Sequence, residues 1–301
     1  MVNEGTGRAV RTLIALCAAA LLSACVHQKA PPAAHTGPSI TAMTFNIRLD
    51  IASDGLNAWP HRKELVFALI RHEAPDVLGM QEVLLQQKRD LEAALPEYRM
   101  TGVARDDGKD AGEFSPLAWR RDRFELVRSG TFWLSPTPQI PGKAWDAALP
   151  RIASWALLRD RTSGQLLRVL NTHFDHVGAT AKANSAAQIA QWAASGPDAT
   201  APTIVMGDFN SPPDSEPYRN LANSDAVALL DTRTVTAAPP YGPRGTFTGF
   251  KIDRDAPEPI DHIFVTRDFQ VDSHATITQH WGGRLPSDHY PVIASLRMPS
   301  L

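Results

Sequence analysis

Met43, Phe45 and Ile47 alternate with polar or small residues, which predicts a half-buried strand beginning near Ile40. Pro60 opens a helix that Pro75 closes, and Leu65, Val66, Leu69 and Ile70 fall at the spacing of one apolar face. A short strand over 77–80 follows, then a helix over about 84–95 that Pro96 stops. Strands are predicted over 98–102, 114–119 and 124–133, and the Pro-rich stretch 135–150 reads as a surface loop. Segments 152–159 and 166–172 flank Thr162-Ser163-Gly164 as the arms of a hairpin. Residues 179–194, rich in Ala and Gln, form a helix leading into the apolar strand Ile204-Val205-Met206-Gly207. A second loop region spans 225–250, and strands follow over 260–266 and 291–296. Strands in two helix-bracketed groups imply helices packed outside two sheets, within one α/β domain covering 40–301.

Composition adds the compartment. The chain is 43% hydrophobic and 21% charged, with a formal net charge of −2, so no basic field draws nucleic acid to it. No strong nucleic-acid affinity is expected. Both cysteines lie in the first 25 residues. Arg8 and Arg11 precede a short apolar run over 13–20, too short to span a bilayer, and then comes Leu22-Ser23-Ala24-Cys25. This pattern resembles a bacterial lipoprotein signal over 1–25 that ends at Cys25, the residue that would carry the lipid. Residues 26–39, rich in Pro and Ala, read as a tether. Val26 in place of Asp favours the outer membrane by the same resemblance. The expectation is a monomer on the cell envelope, held to the membrane through its lipid anchor and exposed to the periplasm or the exterior.

Polar residues recur just beyond the apolar strands: Asn46, Glu82, His173, Asp208, Asn210, Asp261 and the Asp288-His289 pair. Any one of them could be a capped turn. As a set they suggest strand ends that deliver oxygen and imidazole groups to one cleft. Carboxylate and carboxamide oxygens without thiolates suit a hard divalent cation, with Glu82, Asn46 and one further acid around Mg²⁺. Such an ion polarises a phosphoryl oxygen, and a histidine beside a carboxylate can move a proton from water or carry charge to phosphate.

Asn46 in Thr-Phe-Asn, Glu82 in Gln-Glu-Val and Asp208/Asn210 in Gly-Asp-Phe-Asn occur in order with two later motifs. These are Asp261 in Ile-Asp-His-Ile-Phe-Val and Asp288/His289 in Ser-Asp-His-Tyr-Pro-Val. The ordered set resembles the endonuclease/exonuclease/phosphatase superfamily over nearly all of 40–301. The resemblance implies a four-layered α/β/β/α sandwich with its cleft at the top of two mixed sheets. It implies Mg²⁺ (or Mn²⁺) held chiefly by Glu82, with Asn46 and Asp288 near the metal. Asp208 would orient or deprotonate water, and Asn210 would bind the phosphate. Asp261 would steady His289, and His173 would be a second histidine on the phosphate side. Glu113 resembles a glutamate that pairs with that histidine, and Arg151 an arginine that contacts substrate phosphate. Arg48 stands where one branch of the superfamily carries an Asp, which weakens any second-metal role there.

Other patterns weigh less. Asn171-Thr172-His173-Phe174-Asp175-His176 partly matches a binuclear zinc motif, but Asn171 replaces its first histidine; Asp175 and His176 could still line a cleft. Trp133, Trp145 and Trp155 could stack a sugar or base, with core packing the commoner role for Trp155. No Gly-x-Ser-x-Gly elbow, phosphate-binding Walker loop or His-Glu-x-x-His is present. The sequence therefore points to a Mg²⁺-dependent phosphoesterase acting on a small or medium phosphoester. Two alternatives stay open: a nuclease, and a non-catalytic surface lipoprotein that uses the fold for binding.

Overall fold

A computed structural model describes residues 37–254 and 257–300. Residues 1–36 lie outside this part, and with them the signal, Cys25 and most of the tether. The N-terminal half contains β1 (Ser39–Asn46), α1 (Trp59–Glu73), β2 (Val77–Gln81), α2 (Leu85–Ala94), β3 (Tyr98–Thr101), β4 (Leu117–Arg120) and β5 (Phe124–Trp133). Then come β6 (Ile152–Asp160), β7 (Leu166–His173), α3 (Ala179–Ser195), β8 (Thr203–Asp208) and α4 (Glu216–Ala222). The chain closes with β9 (Leu229–Asp231), α5 (Thr232–Val235), β10 (Asp261–Thr266), β11 (Gln270–Thr276) and β12 (Val292–Arg297).

Two six-stranded sheets result, in the orders β11-β12-β1-β2-β4-β3 and β5-β6-β7-β8-β10-β9. Only β1/β2 and β7/β8 pair in parallel, and each of these steps needs a helical crossover, which α1 and α3 provide. The alternation within each strand sorts its side chains into layers. Ile40 and Ala42 of β1, Ile204 and Met206 of β8 and Val169 of β7 meet between the sheets. Met43 and Phe45 face outward onto Val66 and Ile70 of α1, while Val205 and Phe264 face Ile189 of α3 and Leu221 of α4. The architecture is a four-layered α/β/β/α sandwich, as the motifs implied.

Between the sheets, composition changes along the strands. The inward positions run Ile40, Ala42, Thr44, Asn46 on β1 and Leu167, Val169, Asn171, His173 on β7, so one end of the interior is greasy and the other polar. Just below the polar end, Gln81 donates to Thr44 (3.0 Å) and Asn171 (2.6 Å), and Asn171 donates to the carbonyls of Met80 (2.7 Å) and Pro116 (2.9 Å). Gly79 makes room for this bridge, since a Cβ there would lie 2.5 Å from Asn171 Oδ1.

Several expectations need correction. β1 is buried on both faces, because its polar partners face the second sheet and not water. β4 begins at Leu117, not at 114: Pro116 has no N–H for the ladder, and Phe114 makes only isolated bridges to Val83 and Ala104. The presumed loop over 225–250 contains β9 and α5, the latter capped by Asp231, whose carboxylate accepts from Arg233 N. α4, capped by Ser215, and β11 carried no signal that was read; a bulge between Val271 and Ser273 breaks the twofold period of β11.

Candidate active site

β1, β2, β7, β8 and β10 all carry their last or first inward side chain to the same end of the sandwich. There an open cleft of about 580 Å³ is lined by Arg48, Asp54, Glu82, Glu113, Arg151, His173, His176, Asp208, Asn210, Asp288 and His289, with Phe247 and Phe250 on one side. Eight of the ten site residues expected in the folded domain line this cleft; Asn46 and Asp261 stand directly behind the lining, hydrogen-bonded to Asp208 and His289, and the eleventh expected residue, Cys25, lies outside the described residues.

Asp208 is central. Its Oδ2 accepts from Asn46 Nδ2 at 3.0 Å and lies 3.6 Å from His173 Nε2 and 3.8 Å from His289 Nε2. Its Oδ1 accepts from the backbone N–H of Asn210 at 2.9 Å. Gly207 lets β8 approach β7 closely enough for this, since a Cβ would meet the Thr172 carbonyl at 2.1 Å. Burial, reinforced by neighbouring Asp261, pushes the Asp208 carboxyl up to about 7 against the pull of His289, the Asn210 N–H and Asn46. Behind it, His289 Nδ1 hydrogen-bonds Asp261 Oδ2 at 2.9 Å. Burial alone opposes charge on this imidazole, but Asp261, Asp208 and Asp288 together hold it well above its ordinary value. His173 is shifted the other way: burial, then Arg151 and Arg105, keep it well below.

Glu82 and Asp288 line the same cleft. Glu82 accepts from Asn46 Nδ2 (3.0 Å) and Leu49 N (3.2 Å), and Asp288 accepts from Ser287 Oγ (3.3 Å). Burial raises the Asp288 carboxyl, and Glu82 raises it further against His289 and Arg48. Glu82, Arg48 and Asn210 all have φ between +46° and +60°, a region that costs a non-glycine residue energy and that clusters at functional sites.

Geometry qualifies three of the expected residues. Asn46 is fully buried and does not line the cleft; its amide donates to Glu82 and Asp208 and its Oδ1 accepts from Arg48 N, so it orients carboxylates. Glu113 does not hydrogen-bond His173, from which it stays 3.9 Å away, because Arg105 takes both its oxygens at 2.7 and 2.8 Å. His173 Nδ1 is left buried without a partner. Arg151 is 4% exposed, with Nε on Asp175 (3.3 Å) and one terminal nitrogen on His176 (3.1 Å), while the other has no hydrogen-bond partner. His176 lines the cleft; Asp175 sits behind it and gathers the N–H groups of Ala148, Leu149, Val177 and Gly178. None of Trp133, Trp145 and Trp155 reaches the cleft. Trp133 donates to the Arg105 carbonyl and Trp155 packs on Trp192.

One organising residue was missed. Arg62 is 1% exposed and donates to the carbonyls of Ile47, Pro286 (3.0 Å), Arg48 (2.6 Å) and Asn57 (2.7 Å). It ties the end of β1 to the loop carrying Asp288 and His289. Its signal was present: Arg62, Val66 and Leu69 share one face of α1, so a guanidinium stands on an apolar stripe.

Among the described residues, the tightest group of possible metal-binding side chains is Asp208, Asp261 and His289, all buried. His289 Nδ1 is already engaged by Asp261, so this group reads better as a proton-handling triad. Glu82 and Asp288 fit a divalent cation better: both carboxylates line the cleft, Glu82 helps to raise the Asp288 carboxyl, and one guanidinium lies within 3.8 Å of each. Over residues 43–289 the sequence matches the model of the Endonuclease/Exonuclease/phosphatase family. The chain belongs to that family. Its members are hydrolases that act on phosphoesters. A family structure from Bacteroides vulgatus is 39% identical, with a TM-score of 0.82 over 87% of this chain and 99% of its own. A mannosyl-6-phosphatase from Bacteroides thetaiotaomicron is 34% identical, with a TM-score of 0.81 over 85% of this chain and 99% of its own. An uncharacterized protein of Acanthamoeba polyphaga mimivirus is 27% identical over 119 residues, 34% of this chain; the match spans only 17% of that curated relative's length.

Proposed function

We propose that this family member is a Mg²⁺-dependent phosphatase that hydrolyses small phosphomonoesters, with sugar phosphates as the leading class. The observation that carries the reading is Asp208, a buried carboxylate between two imidazoles, sharing one cleft with Glu82 and Asp288. A carboxyl raised to about 7 accepts a proton near neutral pH, so Asp208 takes it from the attacking water as the new O–P bond forms and the ester P–O bond breaks. His289, held protonated by Asp261, donates from Nε2 to the phosphoryl group or the departing oxygen. The unpartnered nitrogen of Arg151 binds a phosphate oxygen, as does Asn210 from the lip of β8. Glu82 and Asp288 would hold a divalent ion, which would supply charge neutralisation for the in-line displacement.

Substrate size follows from the cleft, whose volume suits one small ligand. The sugar class draws on the relative named a mannosyl-6-phosphatase. Hydrolysis of p-nitrophenyl phosphate, bis-p-nitrophenyl phosphate and hexose 6-phosphates, with Mg²⁺ and with EDTA, tests the reading. Metal-dependent release from monoesters is expected. Turnover of the diester alone would make the enzyme a phosphodiesterase or nuclease, and absence of any turnover would favour a binding module. Residues 1–25 support a further proposal, lipid anchoring at Cys25 on the outer membrane; incorporation of labelled palmitate that Cys25→Ala abolishes is the expected result.

A further inference from the structure

Arg48 is fixed in the cleft more firmly than a surface arginine. Its N–H donates to Asn46 Oδ1 (3.0 Å), and its carbonyl accepts from Gln87 Nε2 (2.9 Å) and Arg62 (2.6 Å). Its backbone is held at φ +58°. Its guanidinium makes a two-point contact with Asp54 through Nε (2.9 Å) and a terminal nitrogen (3.0 Å). Asp54 sits on a short 3-10 turn, Ala52–Asn57, and also lines the cleft. The same guanidinium lies 3.7 Å from Glu82 and 3.8 Å from Asp288, close enough for attraction but outside hydrogen-bond reach. One cation thus faces three carboxylates and is bonded to the one that the proposed chemistry does not use.

We infer that Arg48 and Asp54 form a built-in counter-ion pair that sets the affinity of the Glu82–Asp288 carboxylates for a divalent cation. The inference rests on reading those two carboxylates as the cation's ligands. The guanidinium offsets part of the repulsion between Glu82 and Asp288 and so lowers the charge that an incoming ion meets. Asp54 holds the guanidinium back from closing on them. The pair keeps the two carboxylates apart at the expense of tight cation binding, which makes turnover responsive to the ambient Mg²⁺ level. Removing one unit of positive charge this close to both carboxylates should tighten divalent binding about tenfold. Releasing the guanidinium from Asp54 should weaken it by a comparable factor.

The experiment is a Mn²⁺ titration read by electron paramagnetic resonance on the full-length protein, stripped with EDTA and desalted. Wild type, R48Q, D54N and R48Q/D54N are compared, with circular dichroism melts to verify folding. The expected order of Kd is R48Q below wild type and wild type below D54N, and R48Q introduced into D54N should restore affinity to wild type or tighter. The inference fails if R48Q binds Mn²⁺ no more tightly than wild type, or if the double variant binds no more tightly than D54N. Should R48Q not fold, D54N decides alone: a Kd within twofold of wild type overturns the pair. A wild type that binds no Mn²⁺ overturns instead the assignment of Glu82 and Asp288, and this inference with it.

Discussion

Side chains in the cleft are tuned by burial and by one another, and their substitutions should separate activity from stability. Glu82 makes its hydrogen bonds with Asn46 and Leu49 at the cleft wall, so Glu82→Gln keeps its shape and loses its charge. The expected outcome is a fall of about 10³-fold or more in Mg²⁺-dependent p-nitrophenyl phosphate hydrolysis. Mg²⁺ should raise the Tm of wild type and leave that of the variant unchanged. Asp208 makes a sharper case. Its carboxyl is raised from the ordinary value to about 7, so in the folded state ionisation is disfavoured. Stability contributed by the protonated form is present at pH 4 and is lost as pH rises toward 7. Asp208→Asn lacks that loss. Thermal melts without divalent ions should therefore show the Tm difference moving in the variant's favour from pH 5 to pH 8, while activity is abolished. A difference independent of pH would mean that Asp208 is not the strained carboxylate. The motif residues were legible because each sits at, or a few residues beyond, one end of an apolar strand. The Arg105–Glu113 pairing was not, since Arg105 lies eight positions from its partner within an irregular loop and no period marks it.

At the level of elements, strands with continuous apolar runs or clean alternation were read correctly, and those with mixed composition were missed. β11 reads Gln-Val-Asp-Ser-His-Ala-Thr, and its bulge shifts the phase of the buried positions. α1 and α2, marked by proline at an end, announced themselves; α4, only seven residues long, did not, although Pro217 stands in its first turn. What no pattern announced is how elements are locked together, and two substitutions test the locks. Arg62→Leu removes a donor from four backbone carbonyls between β1, the turn after it and the loop before β12, of which that of Arg48 keeps a second donor, Gln87. The cost should be about 3 kcal/mol by urea unfolding, accompanied by lower kcat as Asp288 and His289 lose their anchor. Gly79→Ala drives a methyl group into Asn171, whose bonds to Gln81, Met80 and Pro116 join the two sheets. A loss of about 2 kcal/mol is expected. A neutral result would show that the polar bridge can shift without cost.

For the whole molecule, the decisive property is that its charge is nearly balanced while its cleft is not. A net charge of −2 leaves no extended positive field, and in the cleft Arg48 and Arg151 stand among the carboxylates Asp54, Glu82, Glu113, Asp208 and Asp288. Long-range steering of a polyanion is therefore weak, and phosphate recognition is local. The sequence carried this distinction in its totals but not its cause, because only the fold shows that the cationic groups are buried or paired at the site. Duplex binding neutralises many phosphates and weakens steeply with salt, whereas a monoester held by a few enclosed groups is screened little. Raising NaCl from 20 to 200 mM should thus change kcat/KM for a hexose 6-phosphate by less than about threefold. Excess duplex DNA should not inhibit that reaction at either salt concentration. If DNA competes at low salt and releases the enzyme at high salt, an extended phosphate-binding surface exists and the nuclease alternative displaces the small-molecule phosphatase.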